Sequence, residues 1–154
     1  MPRERLSAIA KAMNFLAVRS LSEQELLAKL RRAGYPDDEC DSAIAECVRR
    51  HYLNDEQLTA DCVDILHQRN LGARQIKQKL LRRGLDGEYI SELLTDSEED
   101  EFEAARRAME GKLRLLSREN DRRKKREKLF RFMASRGFSP AVIFKLADEM
   151  HDKF

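Results

Sequence analysis

Tryptophan is absent from this 154-residue sequence, aromatic residues make up only 6% of it, and it has just six glycines and three prolines. So little turn-forming and β-favouring material argues against a sheet-based fold. No apolar run approaches the roughly 20 residues that span a bilayer. The opening Met1-Pro2-Arg3-Glu4-Arg5 leads into no signal-type apolar stretch, so a cytoplasmic protein is expected, without membrane association. The glycines are isolated, and none sits in a Gly-rich turn leading to Lys-Ser or Lys-Thr. Neither a Gly-x-Ser-x-Gly elbow nor a His-Glu-x-x-His pair occurs. Acidic residues are so abundant that no carboxylate pair stands out. The expectation is a protein that is not an enzyme and carries no cofactor.

Excess charge of one sign is also missing. Thirty basic residues against 28 acidic ones leave a net charge of +2, and the pI of about 8.5 lies below the strongly basic range of nucleic-acid binders. The distribution says more than the sum. Asp96 to Glu103 holds six acids, whereas Arg118 to Arg131 holds eight bases against three acids. Such runs are commonly solvated helix faces.

Leu, Ala, Glu, Lys and Arg are plentiful, and they are good helix formers. Shifting the sequence by 50 residues places Leu16, Arg19, Leu21, Lys29, Leu30, Arg32 and Gly34 on Leu66, Arg69, Leu71, Lys79, Leu80, Arg82 and Gly84. A further shift of 53 places Ile76, Leu80, Gly84 and Leu85 on Leu129, Met133, Gly137 and Phe138. Self-similarity at such a period marks a repeat architecture. The expected fold is therefore all-α: three tandem three-helix repeats, over residues 1–50, 51–95 and a degenerate 96–154, forming an elongated, curved array.

Within each repeat the first helix is expected to bury an apolar stripe: Leu6, Ile9, Met13 and Leu16; Leu58, Cys62, Ile65 and Leu66; Phe102, Ala105, Met109, Leu113 and Leu116. Second helices are expected to start near Ser22, Gly72 and Asp121, with Ser22 and Glu25 forming a capping box. They stop at Gly34, Gly84 and Gly137, each followed by an apolar residue that packs back on the last turn. Third helices follow Pro36-Asp37, Asp86 and Ser139-Pro140. They bury Cys40, Ile90 and Ile143, then Ala43, Leu93 and Leu146.

Cys47 with His51 and Cys62 with His67 have spacings that could hold zinc. The repeat register argues otherwise. Cys40 takes the place of Ile90 and Ile143, Cys62 that of Ala12, and Cys47 that of Ser97 and Met150. Cysteine in such slots behaves as a small hydrophobe, and no metal is expected.

Exposed bases on the second helices carry the remaining signal. With Ile76 and Leu80 facing inward, Arg74, Gln78 and Arg82 face outward. The matching positions are Gln24, Ala28 and Arg32, then Glu127, Arg131 and Ser135, with Arg123 and Lys124 close by. Arg32, Arg74, Arg82, Arg123, Lys124 and Arg131 are thus a candidate face for a partner or for DNA. A solvated face with no partner is the plainer reading.

Four stretches, taken in order, resemble the RecX family. LAVRSLSEQELLAKLRRAGY (residues 16–35) is similar to that family's Arg, Ser-x-x-Glu-Leu and Lys-Leu pattern before Gly and an aromatic. YLNDEQLTA (52–60) is similar to its Tyr-Leu-Asp/Asn-Asp opening of the second repeat. LGARQIKQKLLRRGL (71–85) resembles its Arg-Ile-x-x-Glu-Leu-x-x-x-Gly-Ile segment, and FRFMASRGFSPAVIFKLAD its closing Arg-Gly-Phe and short helix. Leu58 stands where the family usually has Phe, and Lys79 where an acid is common. The resemblance implies a regulator that binds the RecA recombinase filament on DNA and suppresses its ATP hydrolysis, strand exchange and growth. It implies a role in DNA repair, recombination and the SOS response. Contact with DNA phosphates would be weak and non-specific, and a monomer is expected. The competing reading is a free-standing helical DNA-binding module, although no single helix gathers base-reading side chains at its N-terminus. A scaffold for some other protein is a third.

Overall fold

The computed structural model describes residues 4–154, and these contain nine α-helices and no strand. α1 spans Ala8–Val18, α2 Glu23–Arg32, α3 Asp37–Arg49, α4 Asp55–Gln68 and α5 Ala73–Arg82. α6 spans Gly87–Asp96, α7 Glu98–Leu115, α8 Arg122–Ser135 and α9 Pro140–Glu149. Two compact units are defined. The first takes the chain up to Ala60 together with Leu81–Asp86, and the second takes Asp61–Leu80 and Gly87–Phe154.

Local chemistry sets the helix ends. Ser22 accepts a hydrogen bond from the Glu25 N–H while the Glu25 carboxylate accepts from the Ser22 N–H, completing the capping box. Asp121 caps α8 through the N–H groups of Arg123 and Lys124, and Ser139 caps α9 through that of Val142. Gly34, Gly84 and Gly137 have φ of 93°, 77° and 96°, the left-handed region that costs a side chain energy. Tyr35, Leu85 and Phe138, which follow them, are buried as the repeat pattern requires.

In the first unit α1 packs on α2 and α3 around Ala12, Leu26, Leu30, Cys40 and Cys47, all fully buried. Burial pushes both thiols up, as expected for cysteine used as a hydrophobe. In the second unit α7 packs on α8 and α9 around Met109, Leu129, Met133 and Leu146. Each large apolar side chain so buried contributes about 1.5–3 kcal/mol.

The first-helix stripes need correction. Leu6 precedes α1 and is 49% exposed, and Met13 is 42% exposed. Ala8 and Ala12 are buried instead, because small side chains let α1 approach α3 closely. On α4 the buried residues are Thr59, Val63 and His67, while Ile65 is 46% exposed and Cys62 only half-buried. Thr59 can go inside because its hydroxyl donates to the Asp55 carbonyl, and His67 because its Nε2 lies 3.2 Å from the Ser97 hydroxyl. On α6 Leu94, rather than Leu93, follows Ile90 into the core.

Candidate protein and nucleic-acid interface

All six bases singled out above are exposed, but they differ in what holds them. Arg32, Lys124, Arg82 and Arg131 have no side-chain ion pair among the described residues. Arg123 is paired with Glu127 at 3.3 Å. Arg74 is a partial exception to a purely solvated role. Its guanidinium donates to the Ala134 carbonyl at 2.8 Å, at the end of α8, adding a further donor to the Gly137 N–H that this carbonyl already accepts at 3.0 Å. It is therefore a structural residue as well as an exposed cation.

That contact belongs to a joint built twice from corresponding residues. In the first unit, the Arg83 guanidinium donates to the Ser20 carbonyl at 3.1 Å and to the Glu25 carboxylate at 2.9 Å. The Ser22 hydroxyl donates back to the Arg83 carbonyl. In the second unit, the Arg136 guanidinium donates to the carbonyls of Arg69 (2.6 Å) and Asn70 (3.2 Å), and the Gly72 N–H donates to the Arg136 carbonyl at 2.8 Å. Ser20 and Ser22 stand 50 residues before Asn70 and Gly72, and Arg83 stands 53 before Arg136. Each joint seats the glycine-ended terminus of one second helix on the start of the preceding one. Gly72 has no alternative there, since a Cβ would collide with the backbone of Gly137 and Phe138.

Charge is concentrated at the first joint. Burial acts to raise the Glu25 carboxyl, but hydrogen bonds from Arg83 and the Ser22 N–H, with the charges of Arg83 and Arg19, outweigh it and hold the group below the usual carboxylate range. Nearby Glu23 and Asp55 are raised, first by burial and then by neighbouring negative charge: Asp55 acting on Glu23, and Glu25 acting on Asp55. The arginine preceding the terminal glycine was the missed signal. It recurs at Arg83 and Arg136 in the repeat register, yet a base at a helix end also reads as an ordinary dipole partner.

Two concavities lie between first and third helices. One is bordered by Ile9, Met13, Asp38, Glu39 and Glu46 in the first unit, the other by Glu98, Glu99, Glu103, Phe102 and Val142 in the second. Their carboxylates disfavour phosphate. A third, of 430 Å³ on the second unit, is cationic, with Arg107, Lys112, Arg114 and Arg136 in its wall. None of these four bases was selected from the sequence. The mid-helix Gly111 among them was the available clue.

An all-helical chain with a doubled joint of this kind is a helical-repeat protein. Residues 8–47 match the first three-helix domain of RecX, and residues 98–146 match the third. The chain is 33% identical to the regulatory protein RecX of Haemophilus ducreyi over 86% of its length and 85% of that protein's. It is 28% identical to that of Legionella pneumophila, covering 96% of this chain and 97% of the other. The crystal structure of RecX from Lactobacillus salivarius superposes with a TM-score of 0.86 at 20% identity, over 94% of each chain. The chain belongs to the RecX family of regulatory proteins. Among the described residues, no helix is long and apolar enough to cross a membrane.

Proposed function

We propose that this chain binds the RecA recombinase filament on DNA and restrains its ATP hydrolysis, strand exchange and growth, and so modulates DNA repair and recombination from the cytoplasm. The observation that carries this reading is the chain-long likeness to RecX regulatory proteins. Such a task needs extended surface and no reactive group. A monomer built of repeats can engage several protomers of a regular filament, and each added contact acts at high effective concentration. In this reading the exposed Arg32, Arg82, Arg123, Lys124 and Arg131, with Arg74 alongside, supply cations toward acidic filament surface or DNA phosphates. Inhibition follows if the bound filament is held in a state that neither turns over nor extends.

The test adds the protein to preformed recombinase filaments and follows DNA-dependent ATP hydrolysis. Hydrolysis is expected to fall, and to stay low when competitor DNA lacking recombinase is added, because protein contacts supply much of the affinity. Inhibition removed in proportion to competitor DNA would instead favour the free-standing DNA-binding module.

A further inference from the structure

The cationic concavity on the second unit gathers four bases in one wall, unpaired among the described residues, whereas several bases of the same unit are neutralised. Arg106 is tied to Glu103 and Glu149, Lys128 to Glu119, and Lys153 to Glu110, so those charges are partly spent within the fold. Arg107, Lys112, Arg114 and Arg136 have no ion pair among the described residues, and no carboxylate stands in the wall they form. Glu110 borders the neighbouring hollow beside Arg114, and Asp64, Asp100 and Glu103 border another beside Arg107.

Neutral groups hold three of the four cations in place. Arg107 donates from Nε to the Asn70 side-chain oxygen at 2.9 Å and from Nη2 to the His67 carbonyl at 3.1 Å. Arg136 grips the Asn70 and Arg69 carbonyls, and the Lys112 ammonium rests 5.0 Å over the Phe132 ring. A guanidinium positioned by carbonyls keeps its full charge and retains donors for an anion.

Gly111 supplies the independent observation. It sits inside α7, where glycine is the poorest helix former short of proline. The fold does not require it. A Cβ added there would meet only the Arg114 Nη2, at an ordinary 3.8 Å. A helical glycine without a packing reason, lining a concavity, leaves room for close approach of a ligand to the backbone.

We infer that this concavity, with Gly111 as its floor and Arg107, Lys112, Arg114 and Arg136 as its cations, is a site for the phosphate backbone of single-stranded nucleic acid. Phe132 and the exposed Leu115 stand in the same wall. Alternating cations and apolar surface suits a polyanion that carries flat bases between its charges better than it suits an acidic peptide. The biological use of the site rests on the filament reading above, in which DNA lies next to the bound protein. Its existence does not.

The experiment therefore omits recombinase. Binding of a short labelled single-stranded oligonucleotide is followed by fluorescence anisotropy across a salt series, with polyglutamate as a second probe. Arg114→Gln, and Lys112→Gln with Arg114→Gln, are expected to weaken oligonucleotide binding about tenfold or more. Each lost contact should lower the slope of log affinity against log salt by about 0.7. Gly111→Gln fills the floor with a better helix former. It should weaken binding about fivefold while the melting temperature holds or rises, a combination that simple loss of structure cannot produce. Unchanged affinity and salt slope in these variants would overturn the site. Polyglutamate bound as tightly as the oligonucleotide, with the same losses on substitution, would overturn the choice of nucleic acid. Failure of the parent protein to slow hydrolysis by preformed filaments, with oligonucleotide binding intact, would count against the filament reading and leave this site standing.

Discussion

The Arg83 guanidinium lies 2.9 Å from the Glu25 carboxylate across 58 residues of sequence, and the same carboxylate closes the capping box of α2. One side chain thus serves both a helix start and the joint laid over it. Substituting Arg83 by Gln should raise the Glu25 titration midpoint, measured by carboxyl-carbon NMR. In the parent protein Glu25 should titrate below the usual carboxylate range, and Glu23 and Asp55 above it. The signs for stability differ accordingly. Glu25, held low when folded, contributes stability that is present above its unfolded pKa and lost as pH falls through its folded one. Glu23 and Asp55, held high, detract from stability once pH rises past their unfolded values. Equal midpoints for the three groups would contradict this geometry.

Glu46 gives a sharper titration. Hydrogen bonds from Arg49 and Arg50 bring its carboxyl down to about 2. Arg49→Gln with Arg50→Gln should return it toward 4.5, the ordinary value. A midpoint in the parent protein that already sits near 4.5 would mean the pair is frayed in solution.

The glycines predict opposite signs. Gly84→Val should destabilise by more than about 1 kcal/mol, since a β-branched residue resists positive φ. Gly72→Ala should cost at least as much, because its Cβ would meet backbone at the second joint. Gly111→Ala should stabilise by up to about 1 kcal/mol through helix propensity. Denaturant unfolding of the three variants checks all of this, and a destabilised Gly111→Ala would refute the account of α7.

Arg136→Ala removes donors from two backbone carbonyls and should cost about 1–3 kcal/mol. Arg131→Ala, exposed and five residues away, should change stability by less than about 0.5 kcal/mol. Thermal melts of the pair separate a structural arginine from a solvated one.

Reversing Arg82 and Arg131 to Glu should leave the fold intact and weaken inhibition of the recombinase ATPase, with a smaller response to added salt in what remains. Arg74→Glu is a poorer probe, because it also removes the side-chain hydrogen bond that ties Arg74 to the Ala134 carbonyl. Full inhibition by the Arg82 and Arg131 double variant would remove those residues from the interface.

Much of the architecture was legible because helix ends are local events. Ser22, Asp121, Ser139 and the three glycines act on backbone within a turn of themselves, so their types alone located α2, α8 and α9. The first helices were less legible because burial there follows neighbours rather than hydrophobicity. Ala12 is buried and Met13 is not, since close approach of α1 to α3 favours the smaller side chain. His67 displaces Ile65 inward because Ser97, 30 residues away, offers it a partner. Outward positions on the second helices could be read from periodicity. The cationic concavity could not, because it gathers bases from α7 and from the residue that ends α8 around Asn70, and no periodicity within one helix encodes such a meeting.

Ala33 stands where the later repeats have Arg83 and Arg136, and the neighbouring helix end is closed from its own chain. Arg5 donates to the Ala33 carbonyl at 2.8 Å and stacks 4.0 Å over Tyr35, whose hydroxyl donates to the Leu6 carbonyl. Where Arg83 and Arg136 give their carbonyls to the start of the preceding second helix, Ala33 gives its own to Arg5. Among the described residues, the end of α2 is thus held by a side chain from ahead of α1, in the place that the start of another second helix takes at the two joints.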